Sequence, residues 1–225
     1  METFTISSRP QKHASSHPDS ETLADAISAL DASQGQDRLT HAIGNLESLA
    51  HDRDFGVKLV QPDILSHLIS LADTHKTENI RQGAARIIGS SMWNNPEGLE
   101  AVSGTKLVTK LVDLLKKETS SNVRASLIFA LSAAVSGDYG VPEFVYAGGS
   151  VRLRQLFEEE GSEVQRKCAT FVEDSLPYSH GISGVNEELS EWCQLFQQFL
   201  QRNTPDETSE KVLSSLMWES RLQWR

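Results

Sequence analysis

Few residues of this 225-residue chain have the type and spacing that covalent chemistry needs. Its two cysteines, Cys168 and Cys193, cannot build a four-cysteine zinc site or a disulfide framework. Cys168 lies at helical steps from Val164, Phe171 and Val172. That spacing places its sulfur on an apolar face, as an inert buried thiol. Cys193 follows Trp192 on a stretch whose Leu189, Phe196 and Phe199 also face inward, and a bridge between the two cysteines would require an oxidising compartment. His13 and His17 could share a metal, but two ligands without a third do not hold zinc selectively, so no metal site is expected. Glu158, Glu159 and Glu160 end a helix before Gly161, where the dipole disfavours them. They read as a solvated run, with a contact to a basic partner as the sharper alternative. The sequence holds no G-x-x-x-x-G-K-[ST], G-x-G-x-x-G or H-E-x-x-H pattern. An enzyme would have to gather its site from scattered residues, so neither enzymatic activity nor a cofactor is expected.

The elements that carry these residues are helical. Lys and Arg number 21 against 31 Asp and Glu, a formal charge of -10 that disfavours general nucleic-acid binding. No apolar window is long enough to span a membrane. Residues 1–20, rich in Ser, His and Pro, read as a disordered leader with no apolar stretch of signal-peptide type. From Glu21 onward the apolar residues recur at three- and four-residue steps, as in Leu23, Ile27, Leu30 and Leu39, Ile43, Leu46, Ala50. Pro62, Pro96, Gly104, Gly137, Pro142, Gly148, Gly161, Pro177 and Pro205 cut this pattern into short helices. No Gly/Pro-bounded alternation of Val, Ile or Thr interrupts it, so the class is all-α.

The short helices repeat. Ile80-Arg81-Gln82-Gly83-Ala84-Ala85-Arg86-Ile87-Ile88 aligns with Val123 to Leu131 and with Val164 to Val172, starts that are 43 and then 41 residues apart. A second helix precedes each, with Leu65, Leu68 and Leu71 matching Val108, Leu111 and Leu114, then Leu153 and Leu156. A short first helix precedes that, at Val57–Val60, Leu99–Val102 and Phe144–Ala147. Three helices per ~42 residues is the armadillo pattern. The expected fold is thus an armadillo-repeat right-handed α-solenoid, one domain over 21–218. Its core repeats are 54–95, 97–137 and 141–177, its capping helices lie at 36–53 and 186–218, and 219–225 form the end.

At 100° per residue, Ile80, Ala84, Ile87, Ile88 and Ser91 share the core face of the first third-helix. Val123, Leu127, Ala130, Leu131 and Ala134 do so in the next, as do Val164, Cys168, Phe171, Val172 and Ser175 in the last. Opposite them project Gln82, Arg86 and Trp93, then Phe129, Ser132 and Ser136, then Arg166, Thr170 and Glu173. In an armadillo stack the third helices line the concave side, so these residues form a groove. Aromatics and arginines there are candidate interface anchors. Trp93 and Phe129 folding down on the neighbouring repeat is the alternative.

Ala84 to Gly89 through Trp93-Asn94-Asn95-Pro96 resembles the "AA..IGT..QNNP" stretch of the armadillo-type nucleotide exchange factors of 70-kDa heat-shock chaperones. Val123 to Ser132 is similar to that family's "VR.KALFALS" helix, and Phe144 to Leu156 to its "F...GG...L..L" pair. Gly161-Ser162-Glu163-Val164 and Trp192-Cys193 followed by Lys211-Val212-Leu213 resemble the endoplasmic-reticulum branch. The resemblance implies a co-chaperone with no catalytic group, acting as a monomer. Its groove would clasp the nucleotide-binding domain of a 70-kDa chaperone of BiP type and speed ADP release. The anchors implied are Trp93, Asn94 and Asn95, with Arg86, Arg124, Phe129 and Arg166 beside them. It also implies the endoplasmic-reticulum lumen, with the cytoplasm as the alternative, because neither a signal peptide nor a terminal retention tetrapeptide precedes or follows. The competing function is an armadillo adaptor or scaffold for peptides. That role needs Trp and Asn four apart on successive third helices, whereas Trp93 plus four is Glu97, and the positions matching Trp93 in later repeats are Ser136 and Pro177.

Overall fold

The computed structural model describes residues 18–30, 35–136, 140–176 and 185–222. Within them the chain forms thirteen α-helices and no strand. The first repeat comprises α3 (Arg53–Leu59), α4 (Pro62–Thr74) and α5 (Glu78–Met92). The second comprises α6 (Pro96–Val102), α7 (Leu107–Lys117) and α8 (Ser121–Val135). The third comprises α9 (Gly140–Tyr146), α10 (Gly149–Glu159) and α11 (Ser162–Ser175). Two helices close each end: α1 (Pro18–Ser28) and α2 (Gln36–Leu49), then α12 (Val185–Arg202) and α13 (Glu207–Leu222). Helix therefore starts at Pro18, inside the segment expected to be leader, and α13 runs past residue 218. Residues 1–17, with His13 and His17, lie outside the described residues, as do Gly137 and Pro177.

Local chemistry sets the boundaries. Asp52 caps α3 by accepting from the N–H groups of Asp54 (2.9 Å) and Phe55 (3.1 Å). Pro62 and Pro96 open α4 and α6, where a missing N–H has no cost. Between first and second helices the second and third repeats turn on Gly104 and Gly148, at φ of 76° and 75°, a left-handed backbone that only glycine adopts freely.

The helices form layers. α2, α5, α8, α11 and α13 pack side by side in that order, and α1, α4, α7, α10 and α12 lie behind them one to one. Every residue assigned to the core face of the three third-helices is buried. The stack tolerates little bulk where the layer closes. A Cβ on Gly83 would collide with the Ile43 side chain of α2, and one on Gly89 would come within 2.6 Å of the Phe129 ring of α8. Towards the C-terminal end aromatics fill the core: Phe157 meets Trp192 edge-on at 6.1 Å and Phe196 at 5.2 Å, and the buried Trp192 indole N–H donates to Ser150 Oγ at 3.1 Å. Burying each large side chain contributes ~1.5–3 kcal/mol, which single repeats cannot gather alone.

Candidate functional site

The exposed edge of the third-helix layer carries the candidate anchors. Trp93, the C-cap residue of α5, is 42% exposed. Its indole is tilted 39° against the half-buried Phe129 ring at 5.7 Å, so the two rings pack across repeats while Trp93 stays open to solvent. Gly89, one turn before Trp93, leaves room for the Phe129 ring on the α5 surface. The ammonium of Lys167 on α11 lies 5.8 Å from the centroid of the same ring. Three consecutive repeats thus contribute to one aromatic and cationic line.

Around it the charges pair between neighbouring helices. Arg86 meets Glu47 of α2 at 3.2 Å, its side chain 43% exposed. Arg166 pairs with Glu207 at the start of α13, and Lys211 of α13 with Glu173 of α11. Asn94 is exposed, with φ of 54°.

Two expected anchors are instead part of the frame. Asn95 is 4% exposed: its Oδ1 accepts from Gly98 N at 3.2 Å to cap α6, and its Nδ2 donates to Arg53 O at 3.0 Å and Ser91 O at 2.9 Å. It ties the end of α5 to α3 and α6, and no polar atom of it is left for a partner. Arg124, 14% exposed, pairs with Glu160, while its Nε donates to Glu118 O at 2.7 Å. Ser132, expected on the outward line, is buried.

Arg124 belongs to a recurring clasp. At the matching position of α5, Arg81 donates from Nε and Nη2 to the Glu118 carboxylate (2.8 and 3.1 Å) and from Nη1 to His75 O (3.0 Å). In α11 the position is Gln165, whose Nε2 donates to Phe157 O at 2.9 Å. Each clasp fixes the start of a third helix. Those of Arg81 and Arg124 also reach the glutamate that ends the next second helix, Glu118 or Glu160. Burial pushes the Glu118 pKa up, but Arg81 and the N–H groups of Ser120 and Thr119 outweigh it and hold the carboxyl below its ordinary value.

Cys168 is fully buried, and desolvation pushes its thiol far above the ordinary range. No disulfide joins Cys168 and Cys193. Among the described residues no group of His, Cys, Asp and Glu is arranged to hold a metal, and no helix is long and apolar enough to cross a membrane. Lys167 was not among the residues singled out by sequence. The signal was present in the repeat alignment, where the column Gly83, Ser126, Lys167 sets a long cation beside two small residues.

Comparison with known proteins gives a family and a fold. The family model described as nucleotide exchange factor SIL1 matches residues 19–218. Nucleotide exchange factor SIL1 of Candida albicans is 27% identical over 145 residues, 61% of this chain and 35% of that protein. Hsp70 nucleotide exchange factor fes-1 of Neurospora crassa is 39% identical over 95 residues, 42% of this chain and 38% of that one. SIL1 of Xenopus laevis is 23% identical over 222 residues, covering 88% and 48%. The chain thus spans about a third to a half of the length of the curated relatives it matches. Among solved structures, a designed armadillo repeat protein in complex with the peptide (KR)4 superposes with a TM-score of 0.72 at 19% identity, covering 87% of this chain and 81% of that one. At that identity the likeness establishes the armadillo fold alone.

Proposed function

This chain belongs to the SIL1 nucleotide exchange factor family, and on that premise we propose that its third-helix face binds the nucleotide-binding domain of a 70-kDa heat-shock chaperone and accelerates ADP release. The observation that carries this reading is the extent of the match: residues 19–218 take in almost all of the described solenoid, both ends included. Trp93, Phe129, Arg86, Arg166 and Asn94 supply the contact surface, while Asn95 and Arg124 hold its shape.

The mechanism is linkage. A rigid stack that binds the open, nucleotide-free form of the chaperone better than the closed form must weaken ADP binding by the same factor, with ~1–3 kcal/mol of coupling a typical size. Such a factor donates no proton and forms no bond with the nucleotide, so it needs no catalytic residue. We take the partner to be the endoplasmic-reticulum chaperone of BiP type, the compartment to be the lumen, and the active form to be a monomer. The SIL1 names among the relatives support the lumenal choice, and the fes-1 type of name makes the cytosolic chaperone the comparison.

The test is stopped-flow release of a fluorescent ADP from each chaperone with and without this protein. Acceleration with either supports exchange, and the preferred chaperone decides the compartment. No acceleration with either, alongside binding to the basic (KR)4 peptide, would favour an adaptor instead.

A further inference from the structure

The repeat register isolates one side chain that packing does not explain. Gly83 in α5 and Ser126 in α8 occupy the same repeat position, and both are small and buried, Gly83 directly against Ile43 of α2. The same column in α11 holds Lys167, partly exposed, with its ammonium over Phe129. A lysine stem placed where the stack takes a glycine or a serine loses rotamer freedom and fills space that a small residue leaves for close helix approach. No carboxylate among the described residues pairs with it, whereas neighbouring Arg86, Arg166 and Lys211 each have one. In a chain of net charge -10, Lys167 is a cation beside an aromatic pair with no carboxylate partner among the described residues.

We propose that Lys167, Phe129 and Trp93 form a selectivity site for an acidic segment of the protein partner, with the partner's carboxylate on the Lys167 ammonium and an adjoining apolar side chain on the exposed face of Trp93. This deepens the exchange-factor reading by specifying the chemistry the partner presents. The Lys167 ammonium already lies 5.8 Å from the Phe129 ring centroid on a partly buried side chain, so a carboxylate would meet a cation placed beside the ring. That arrangement strengthens a charge contact relative to a free surface lysine. It selects against a basic peptide, which would meet the unpaired Lys167 ammonium.

The experiment uses the full chain and three variants, Lys167→Met, Lys167→Arg and Lys167→Glu. Each is first checked for an unchanged helical spectrum and denaturant midpoint. Lys167→Met keeps the apolar stem, so folding is expected to survive. Calorimetry then measures binding to the chaperone nucleotide-binding domain and to two synthetic peptides, one alternating Asp with Leu and Phe, the other (KR)4. The expected result is a ~10-fold or greater affinity loss for Lys167→Met, a larger one for Lys167→Glu, and near recovery in Lys167→Arg. The unsubstituted protein should also lose affinity between low and high salt more steeply than Lys167→Met does. Lys167-dependent capture of the acidic peptide without chaperone binding would uphold this site while removing the exchange-factor reading. Chaperone binding indifferent to all three variants, or a preference for (KR)4, overturns the site and leaves that reading intact.

Discussion

Trp93 and Asn95 sit two residues apart, and the fold separates their roles. Trp93→Ala removes an exposed ring and one aromatic contact, so stability should fall by only ~1 kcal/mol, while chaperone affinity falls ~30- to 1,000-fold as for a truncated interface anchor. Asn95→Ala removes the cap on α6 and the donor to the Ser91 and Arg53 carbonyls, at a stability cost of ~2 kcal/mol. Its binding should be unchanged once the folded fraction is accounted for, and paired denaturant and calorimetric titrations check both. Cys168, buried with its thiol pushed strongly up, should react with a thiol reagent slowly when folded and rapidly in denaturant. Equal rates would place its sulfur at the surface. Helical periodicity placed Cys168 correctly because it depends on rotation about one helix axis. The resemblance set Asn95 and Arg124 among the anchors, and neither is free for that role because what covers them comes from neighbouring turns and repeats: Asn95 from α3, and Arg124 from a glutamate 36 residues on.

At the scale of elements, the spacing of Ile80, Val123 and Val164 made the repeats legible, since equal units must present equal apolar faces to stack. The clasps between them were not legible, because Arg81 is an ordinary exposed residue on its own helix and becomes buried only when Glu118 arrives from the next repeat. These clasps give the stack an acid limit. Folding favours the ionised form of Glu118, whose carboxyl lies below its ordinary value, so its contribution is complete above the unfolded value near pH 4.3 and is lost as pH falls through the lower folded value. Denaturant midpoints followed from pH 7 to pH 3 should therefore drop for the native protein. Glu118→Gln, less stable at pH 7, should show a shallower drop over the same window. Parallel curves would remove Glu118 from the acid response.

For the molecule as a whole, each repeat buries its core only against the next, with α2 and α13 closing the layer, so the stack should unfold as one unit. Helical signal and tryptophan fluorescence should then share one urea midpoint, and two separated midpoints would divide the domain. The same continuity lets five side-by-side helices present one stiff face to a partner, which is what biasing that partner's opening requires. The most direct test of that claim is the ADP release rate of a lumenal 70-kDa chaperone, measured with this protein and with its Trp93→Ala variant. Faster release with the native chain, largely abolished by Trp93→Ala although that variant loses only ~1 kcal/mol of stability and stays folded, is the predicted result. Release rates that stay at the chaperone's own value with saturating native protein would contradict it.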